Sequence, residues 1–423
     1  MQENSRYAVG IDIGTTTVRC VVGHIDTVSG SATIVGAGEA PNKGMRKGIV
    51  SHLNGPAQAI DTALGDAEKI SGYQIDDASV SINGAHISGV VAEGMIAVGA
   101  IDHEVDEADV RRLEEVATTG KLPANREILE VVPHSFRLDG QDNIKDPVGM
   151  TGTRLELNAY VVSALLPHLN NLEKTLDIAK VRPTQIQPSV LTAAKAVLSE
   201  QQIENGVAVL EMGGTTTGLA IFEEGDLQYI SVLPVGGVNI TNDLAIGLKV
   251  DPEVAEKIKL KYAYATLGDD EQPDEILKIT VDKETHQFSR RDVDDIVGAR
   301  LEELFEAVQK ELKQAGKAGQ LPNGIVLTGA AAQLTGMVEF VKEQLGVAAR
   351  VGKVRNVSAV SEQANGPAYA AAIGLMLLDA DAPQKQSRKV ASKETFSQSK
   401  DKSVQAAKKA SGFVKSLMDK FKQ

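Results

Sequence analysis

Two short stretches carry residue types suited to holding a phosphate chain. The first, Asp12-Ile13-Gly14-Thr15-Thr16-Thr17, lies between the apolar runs 8–13 and 18–22. Apolar run, glycine turn and apolar run predict a hairpin whose tip turns backbone N–H groups and hydroxyls toward an anion. Asp12, just before the tip, could orient a magnesium ion through its waters. The second stretch, Glu211-Met212-Gly213-Gly214-Thr215-Thr216, follows the apolar run 207–210 and repeats the device in the other half of the chain. One such hairpin is as often merely a turn. Two at matching positions predict a duplicated molecule whose tips face each other across a cleft.

Other candidates follow the first loop in sequence, on either side of the second. Ile186-Gln187-Pro188-Ser189 reads as a strand turning into a helix, with proline tolerated at the first helical turn. Gln187 is there either to orient a water in the cleft or as an ordinary surface glutamine. Gly236-Gly237 opens a helix that runs to Leu248. Glu256 and Lys259, three apart, share a helical face and are read either as a ribose or base contact or as solvated charge. Gly329-Ala330-Ala331-Ala332-Gln333 ends a strand in a turn of small residues, over which a flat base can lie close to backbone. The seven His show no ligand spacing and Cys20 has no second cysteine, which argues against a zinc site or an internal disulfide. A nucleophile elbow and a Gly-Lys-Ser phosphate loop are both absent from the sequence.

The elements that must position these residues alternate. Strands are expected at 8–13, 18–22, 31–40 and 78–82 around a helix at 53–70, which carries Leu53, Ala57, Ile60, Ala63, Leu64 and Ala67 on one side; this predicts an α/β core with a largely parallel sheet. Between 85 and 163 the pattern becomes strand, helix, strand, strand, an α+β module set into the first half. Helices are expected at 165–179, 251–260, 292–312 and 368–378. The 423 residues and 42% hydrophobic content support several cores built mainly from aliphatic side chains, since aromatics are 4% and Trp is absent. No apolar run reaches the length of a membrane span, and residues 1–6 contain no apolar stretch that would serve as a signal peptide.

Charge is unevenly divided. The chain carries −13 overall, yet residues 384–423 contain eleven Lys and Arg against three Asp and Glu. An acidic body with a basic tail argues against nucleic acid as partner of the body and points the tail toward an anionic surface. Residues 379–403 are rich in Lys, Ser and Gln and read as a linker. Beyond them Phe413, Val414, Leu417, Met418 and Phe421 fall on one side of a helix within an arc of about 140°. Lys409 and Lys420 border that arc on one side, Lys415 and Lys422 on the other, an arrangement suited to lying in a lipid headgroup layer.

The hairpins, the Gln187-Pro188 turn and the small-residue turn occur in the order of the actin, hexokinase and heat-shock chaperone superfamily. Within it the chain resembles the FtsA family of bacterial cell-division proteins along nearly its whole length. Local matches are Asn42-Lys43-Gly44-Met45-Arg46-Lys47-Gly48, Asp146-Pro147-Val148-Gly149-Met150-Thr151-Gly152, Ala255-Glu256-Lys257-Ile258-Lys259 and Leu327-Thr328-Gly329 with Ala331-Ala332-Gln333. The resemblance implies an actin-like duplicated α/β fold: core subdomains at 1–84 with 164–195 and at 196–230 with 321–378, an FtsA-type insert at 85–163, and a small subdomain at 231–320 over the nucleotide. A linker at 379–403 and an amphipathic helix at 404–423 complete it.

The function implied is an ATP-binding protein that polymerises at the cytoplasmic membrane and tethers the tubulin-like protein FtsZ at the division site, recruiting later division proteins. ATP would lie against Gly14, Thr15, Thr16 and Thr17, against Gly213, Gly214, Thr215 and Thr216, and near Gly237, Glu256, Lys259, Gly329, Ala330, Ala331 and Gln333. Asp12 would hold Mg2+ through water, with Gln187 and Glu211 as the other catalytic candidates. Arg290 and Arg300 are candidates for the acidic FtsZ tail. Thr17 stands where the family usually has Lys, Glu211 where it has Asp, and Thr215, Gly218 and Ala330 also depart from its pattern; binding with very slow or absent hydrolysis follows. A pilus-assembly scaffold of the PilM type and a small-molecule kinase are the alternatives, although no carboxylate is placed as a base for a substrate hydroxyl.

Overall fold

The computed structural model describes residues 5–99, 103–266, 275–281, 283–359, 364 and 366–382. The sheets and helices form one compact unit, Met1–Asp381. The terminal helix expected at 404–423, with Lys409, Phe413, Val414, Lys415, Leu417, Met418, Lys420, Phe421 and Lys422, lies outside the described residues, as does nearly all of the linker.

Two sheets share one scheme. In the first, strand Ser5–Ile13 pairs antiparallel with Thr17–Asp26, which pairs antiparallel with Ala32–Pro41; on its other side Ser5–Ile13 runs parallel to Asp77–Ile82, followed by Arg182–Pro188. Val357–Ala359 adds a short parallel edge to Ala32–Pro41. In the second, Val207–Met212 pairs antiparallel with Thr217–Glu223 and that with Asp226–Leu233, while Val207–Met212 runs parallel to Ile325–Thr328, with Ala349–Val351 beyond. The central strands are hydrophobic and buried on both faces, as parallel neighbours covered by helices require.

Helix Ala370–Asp381 lies across Ser5–Ile13 and against helix Ser189–Val197. The approach needs glycine: a β-carbon on Gly10 would stand 2.1 Å from the Ala372 carbonyl oxygen, and one on Gly374 1.7 Å from that of Thr192. Helix Asn54–Ser71 covers the hairpin side of the first sheet with Ala57, Ile60, Ala63, Leu64 and Ala67 buried, the apolar face expected from spacing; Leu53 precedes the helix.

The insert is a four-stranded antiparallel sheet in the order Ser88–Ala97, Arg154–Leu165, Arg126–Leu138, Gln141–Ile144. Helix Glu107–Thr118 packs on it through a core of its own that includes Leu113, Phe136 and Leu155. Asp106 and Asp109 form a capping box that fixes where this helix begins. In the second half, helices Gly237–Leu248, Pro252–Tyr262 and Arg290–Gln314 pack together, and a hairpin of Ile276–Val281 and Glu284–Ser289 lies against the last two with one face exposed. Sequence reading leaves this hairpin and helix Met337–Leu345 unassigned, and starts the helix from Arg290 two residues late.

Candidate functional site

The first tip is built by register. Parallel pairing of Asp77–Ile82 beside Ser5–Ile13 brings Ser81 to the end of the hairpin strand. There its Oγ accepts the Ile13 N–H at 2.8 Å and donates to Asp12 Oδ1 at 2.8 Å. The loop is braced from the side by residues 42–48: Asn42 Nδ2 donates to the Gly14 carbonyl at 2.7 Å, the Asn42 N–H to Thr16 O at 2.8 Å, and the Gly48 N–H to Thr15 Oγ1 at 2.8 Å.

The second tip closes on itself and on a helix. Gly213 N–H donates to Thr216 O at 2.8 Å, while Gly237 and Val238, in the first turn of the helix, donate to Gly213 O at 3.0 Å and Gly214 O at 2.7 Å. A β-carbon on Gly236 would lie 2.5 Å from the Gly213 carbonyl oxygen, so the contact excludes a side chain there. The two tips meet as expected: a β-carbon on Gly214 would fall 2.6 Å from Thr16 Oγ1.

Two carboxylates face each other behind the tips. Ser189 Oγ donates to Glu211 Oε2 at 2.6 Å. Burial, and secondly the Asp12 charge, push the Glu211 carboxyl up to about 8, so it holds its proton at neutral pH despite the serine. Burial raises Asp12 too, opposed by the Ser81 hydrogen bond and by Arg19 on the facing strand. Among the described residues no three His, Cys, Asp or Glu side chains form a metal cage. A cation at Asp12 would therefore draw most ligands from water and phosphate, which is magnesium's habit.

The fit of this cleft to a nucleotide rests on buried polar atoms without protein partners. Gln187 Oε1 and Thr215 Oγ1 are both of this kind, and such atoms are costly unless a ligand or water completes them. Gln187 pairs in register with Ser81, which places it next to the residue that holds Asp12. The Thr15 and Thr216 hydroxyls are already engaged, by Gly48 and Asn83; their expected phosphate contacts would come in addition to these. Thr17 starts the outgoing strand and supplies no charge.

On the other side of Gly237, Lys259 Nζ donates to Glu256 Oε2 at 2.6 Å, Thr241 Oγ1 at 2.9 Å and Gly237 O at 3.3 Å. Glu256 and Lys259 are thus one cluster beside the glycine turn. A β-carbon on Gly237 would be 3.3 Å from Ala331 Cβ, so the small-residue turn borders the same space. Gly329, at φ +86°, approaches the Met212 backbone so closely that a β-carbon would stand 2.4 Å from its carbonyl oxygen. Ala330 and Gln333 are exposed on this rim, Gln333 Nε2 reaching Ala330 O at 3.5 Å.

The arginine expectation needs correction. Arg290 is buried, its side chain 4% exposed, with its guanidinium on Glu275 at 3.1 Å, on the Tyr262 carbonyl at 2.9 Å and over the Tyr264 ring. It is a structural residue joining helix to hairpin, not a group presented to an acidic peptide. Arg300 is held by Asp243 and Glu303. Sequence reading gave no role in the site to Ser81, Ser189, Asn42 or Asn83, because each bonds to a residue that only the fold brings near.

The duplicated sheets, the facing tips and the insert define an actin-like α/β protein. Among solved structures, the type IV pilus complex PilM–PilN superposes with a TM-score of 0.63 at 17% identity, covering 89% of this chain and 99% of that one. MreB5 of Spiroplasma citri, bound to ADP, gives 0.53 at 10%, covering 88% and 95%. These show a common fold only. The family model "Cell division protein FtsA" matches residues 208–374, and "SHS2 domain inserted in FTSA" matches 84–163. The Cell division protein FtsA of Pseudomonas aeruginosa is 33% identical over 377 residues, 89% of each chain, and that of Bacillus subtilis 32% over 392 residues, 92% of this chain and 87% of the relative. The chain belongs to the FtsA family of cell division proteins.

Proposed function

We propose that this protein binds ATP with Mg2+ in the cleft, assembles with copies of itself at the cytoplasmic face of the membrane, and tethers FtsZ filaments there through its basic C-terminal helix. The observation that carries the nucleotide reading is the meeting of two glycine tips at Thr16 and Gly214 with Gln187 Oε1 and Thr215 Oγ1 buried and incomplete beside them. The ADP held by MreB5, a protein of the same fold, supports it. In this reading Thr215 would donate to a phosphate oxygen, Asp12 would orient the waters of the magnesium ion, and Gln187 would orient a water in the cleft. The ion supplies charge neutralisation of the phosphates. Glu211, protonated and bound to Ser189, is poorly placed to activate water, which supports slow or absent turnover.

The tethering reading rests on the tail. Partial burial of five large apolar residues, each worth at most about 1.5 to 3 kcal/mol, and four lysines at roughly 1 kcal/mol apiece on an anionic leaflet offset the cost of ordering the helix to leave weak attachment. Assembly then strengthens it by multivalency. Co-sedimentation with anionic liposomes at rising protein concentration should show upward curvature for the wild type and loss of pelleting for Phe421→Glu with nucleotide affinity intact. Equal pelleting of the two proteins would refute the membrane role of the tail.

A further inference from the structure

Of the side-chain hydrogen bonds that join the two halves, one reaches the second tip directly and is required by none of the phosphate chemistry. Asn83 follows strand Asp77–Ile82 in the first half; its Nδ2 donates to Thr216 Oγ1 in the second tip at 3.2 Å, while its own Oδ1 accepts the Gly84 N–H at 2.7 Å. The same turn touches the first tip's brace: a β-carbon on Gly48 would stand 2.7 Å from the Gly84 nitrogen, and Gly48 is the donor to Thr15. Both phosphate tips therefore bear on residues 83–84.

From that turn a continuous path leads to the insert. His86 Nε2 donates to the Asn83 carbonyl at 3.1 Å, and its Nδ1 accepts the Leu165 N–H at 3.4 Å. These roles require a neutral ring, and burial, with the His168 ring tilted against it at 4.6 Å, lowers the His86 pKa to about 4. The His86 carbonyl accepts from Arg126 at 2.7 Å; the same guanidinium reaches Ser88 Oγ at 2.7 Å and Ser163 O and Oγ at 2.8 and 2.9 Å. Ser88, Arg126 and Ser163 lie in the three long strands of the insert, so one side chain gathers their roots.

Resting on the nucleotide reading above, we infer that Asn83 is a positioning residue: through Thr216 it aligns the second phosphate tip, and through His86 and Arg126 it couples nucleotide in the cleft to the root of the inserted module. The physical reason is geometric. A rotation of one half against the other that lengthens the 3.2 Å bond by a few tenths of an ångström breaks it, while the bonds from Asn83 onward lie within the first half and its insert and follow rigidly. Nucleotide that draws the tips together holds the bond and steadies the insert root through it; an open cleft breaks the bond and leaves the root to its remaining contacts. By reciprocity, a partner that orders the insert root tightens nucleotide binding.

The test is hydrogen exchange of the full chain with and without magnesium and a non-hydrolysable ATP analogue, read in peptides covering the two tips and in those covering Gly84, Ile87 and Leu165. In wild type the nucleotide should slow exchange at both places. Asn83→Ala and Thr216→Val should keep protection at the tips under saturating analogue and lose it at the insert root; Asn83→Ala should weaken affinity about fivefold, the loss expected for one hydrogen bond, and Thr216→Val more, because its own phosphate contact goes with it; the double variant should be no weaker than Thr216→Val alone, and Thr216→Ser should restore the wild-type pattern. Wild-type protection at the root surviving in Asn83→Ala, or additive losses in the double variant, would overturn the coupling while leaving nucleotide binding standing. No protection at the tips in wild type would overturn the nucleotide reading and this inference together.

Discussion

Asp12 and Glu211 occupy equivalent ends of the two central strands, and each receives a hydroxyl hydrogen bond from a serine of a neighbouring element, Ser81 at 2.8 Å and Ser189 at 2.6 Å. The duplication thus extends from strand order to the hydrogen bonding of single carboxylates. The halves differ in the extra methylene of Glu211 and in the charge opposite Asp12: the hairpin partner of Asp12 is Arg19, whereas that of Glu211 is Gly218.

That difference has a pH signature in the nucleotide-free protein. The Glu211 carboxyl is raised in the fold from 4.5 to about 8, so the folded state binds its proton more tightly than the unfolded chain. Its contribution is full below the unfolded value and is lost as pH rises through about 8. Glu211→Gln keeps the shape without the ionisation. Thermal unfolding between about pH 5 and 9 should show the variant gaining on wild type as pH rises. A gap independent of pH would exclude a protonated Glu211.

Asp12→Ala should weaken ATP binding about tenfold or more when magnesium is present, the scale of a lost charged hydrogen bond to the ion's waters. Titration in excess chelator separates roles, since a metal-orienting Asp12 matters little there. An equal loss with and without magnesium would make Asp12 a structural residue of the hairpin.

Gly236→Ala should push helix Gly237–Leu248 off the second tip, because the new methyl would sit 2.5 Å from the Gly213 carbonyl oxygen. Overpacking of this kind costs about 1 to 3 kcal/mol. The expected outcome is a lowered unfolding midpoint in denaturant together with loss of nucleotide binding. Unchanged affinity would show that the helix start does not shape the tip.

Arg290→Ala should destabilise the protein by about 2 to 3 kcal/mol, since it strips a buried guanidinium from Glu275 and the Tyr262 carbonyl. Arg300→Gln, at a side chain 21% exposed, should cost less. Denaturant midpoints of the two variants check the order; if an acidic FtsZ-tail peptide is bound here, only Arg300→Gln should alter its affinity without first lowering stability.

Read alone, the sequence determined what short-range chemistry dictates: both glycine tips, the buried face of helix Asn54–Ser71, and the insert as a change of pattern. These depend on residues a few positions apart, so periodicity and turn preference expose them. Only the tertiary structure decided the rest. Ser81 reaches Asp12 through parallel register across 69 positions and Asn83 reaches Thr216 across 133, distances over which a sequence carries no periodic mark. Arg290 reads as one charge in an acidic, exposed-looking stretch, yet the hairpin packed against its helix buries it, because burial depends on what other segments bring to the same place.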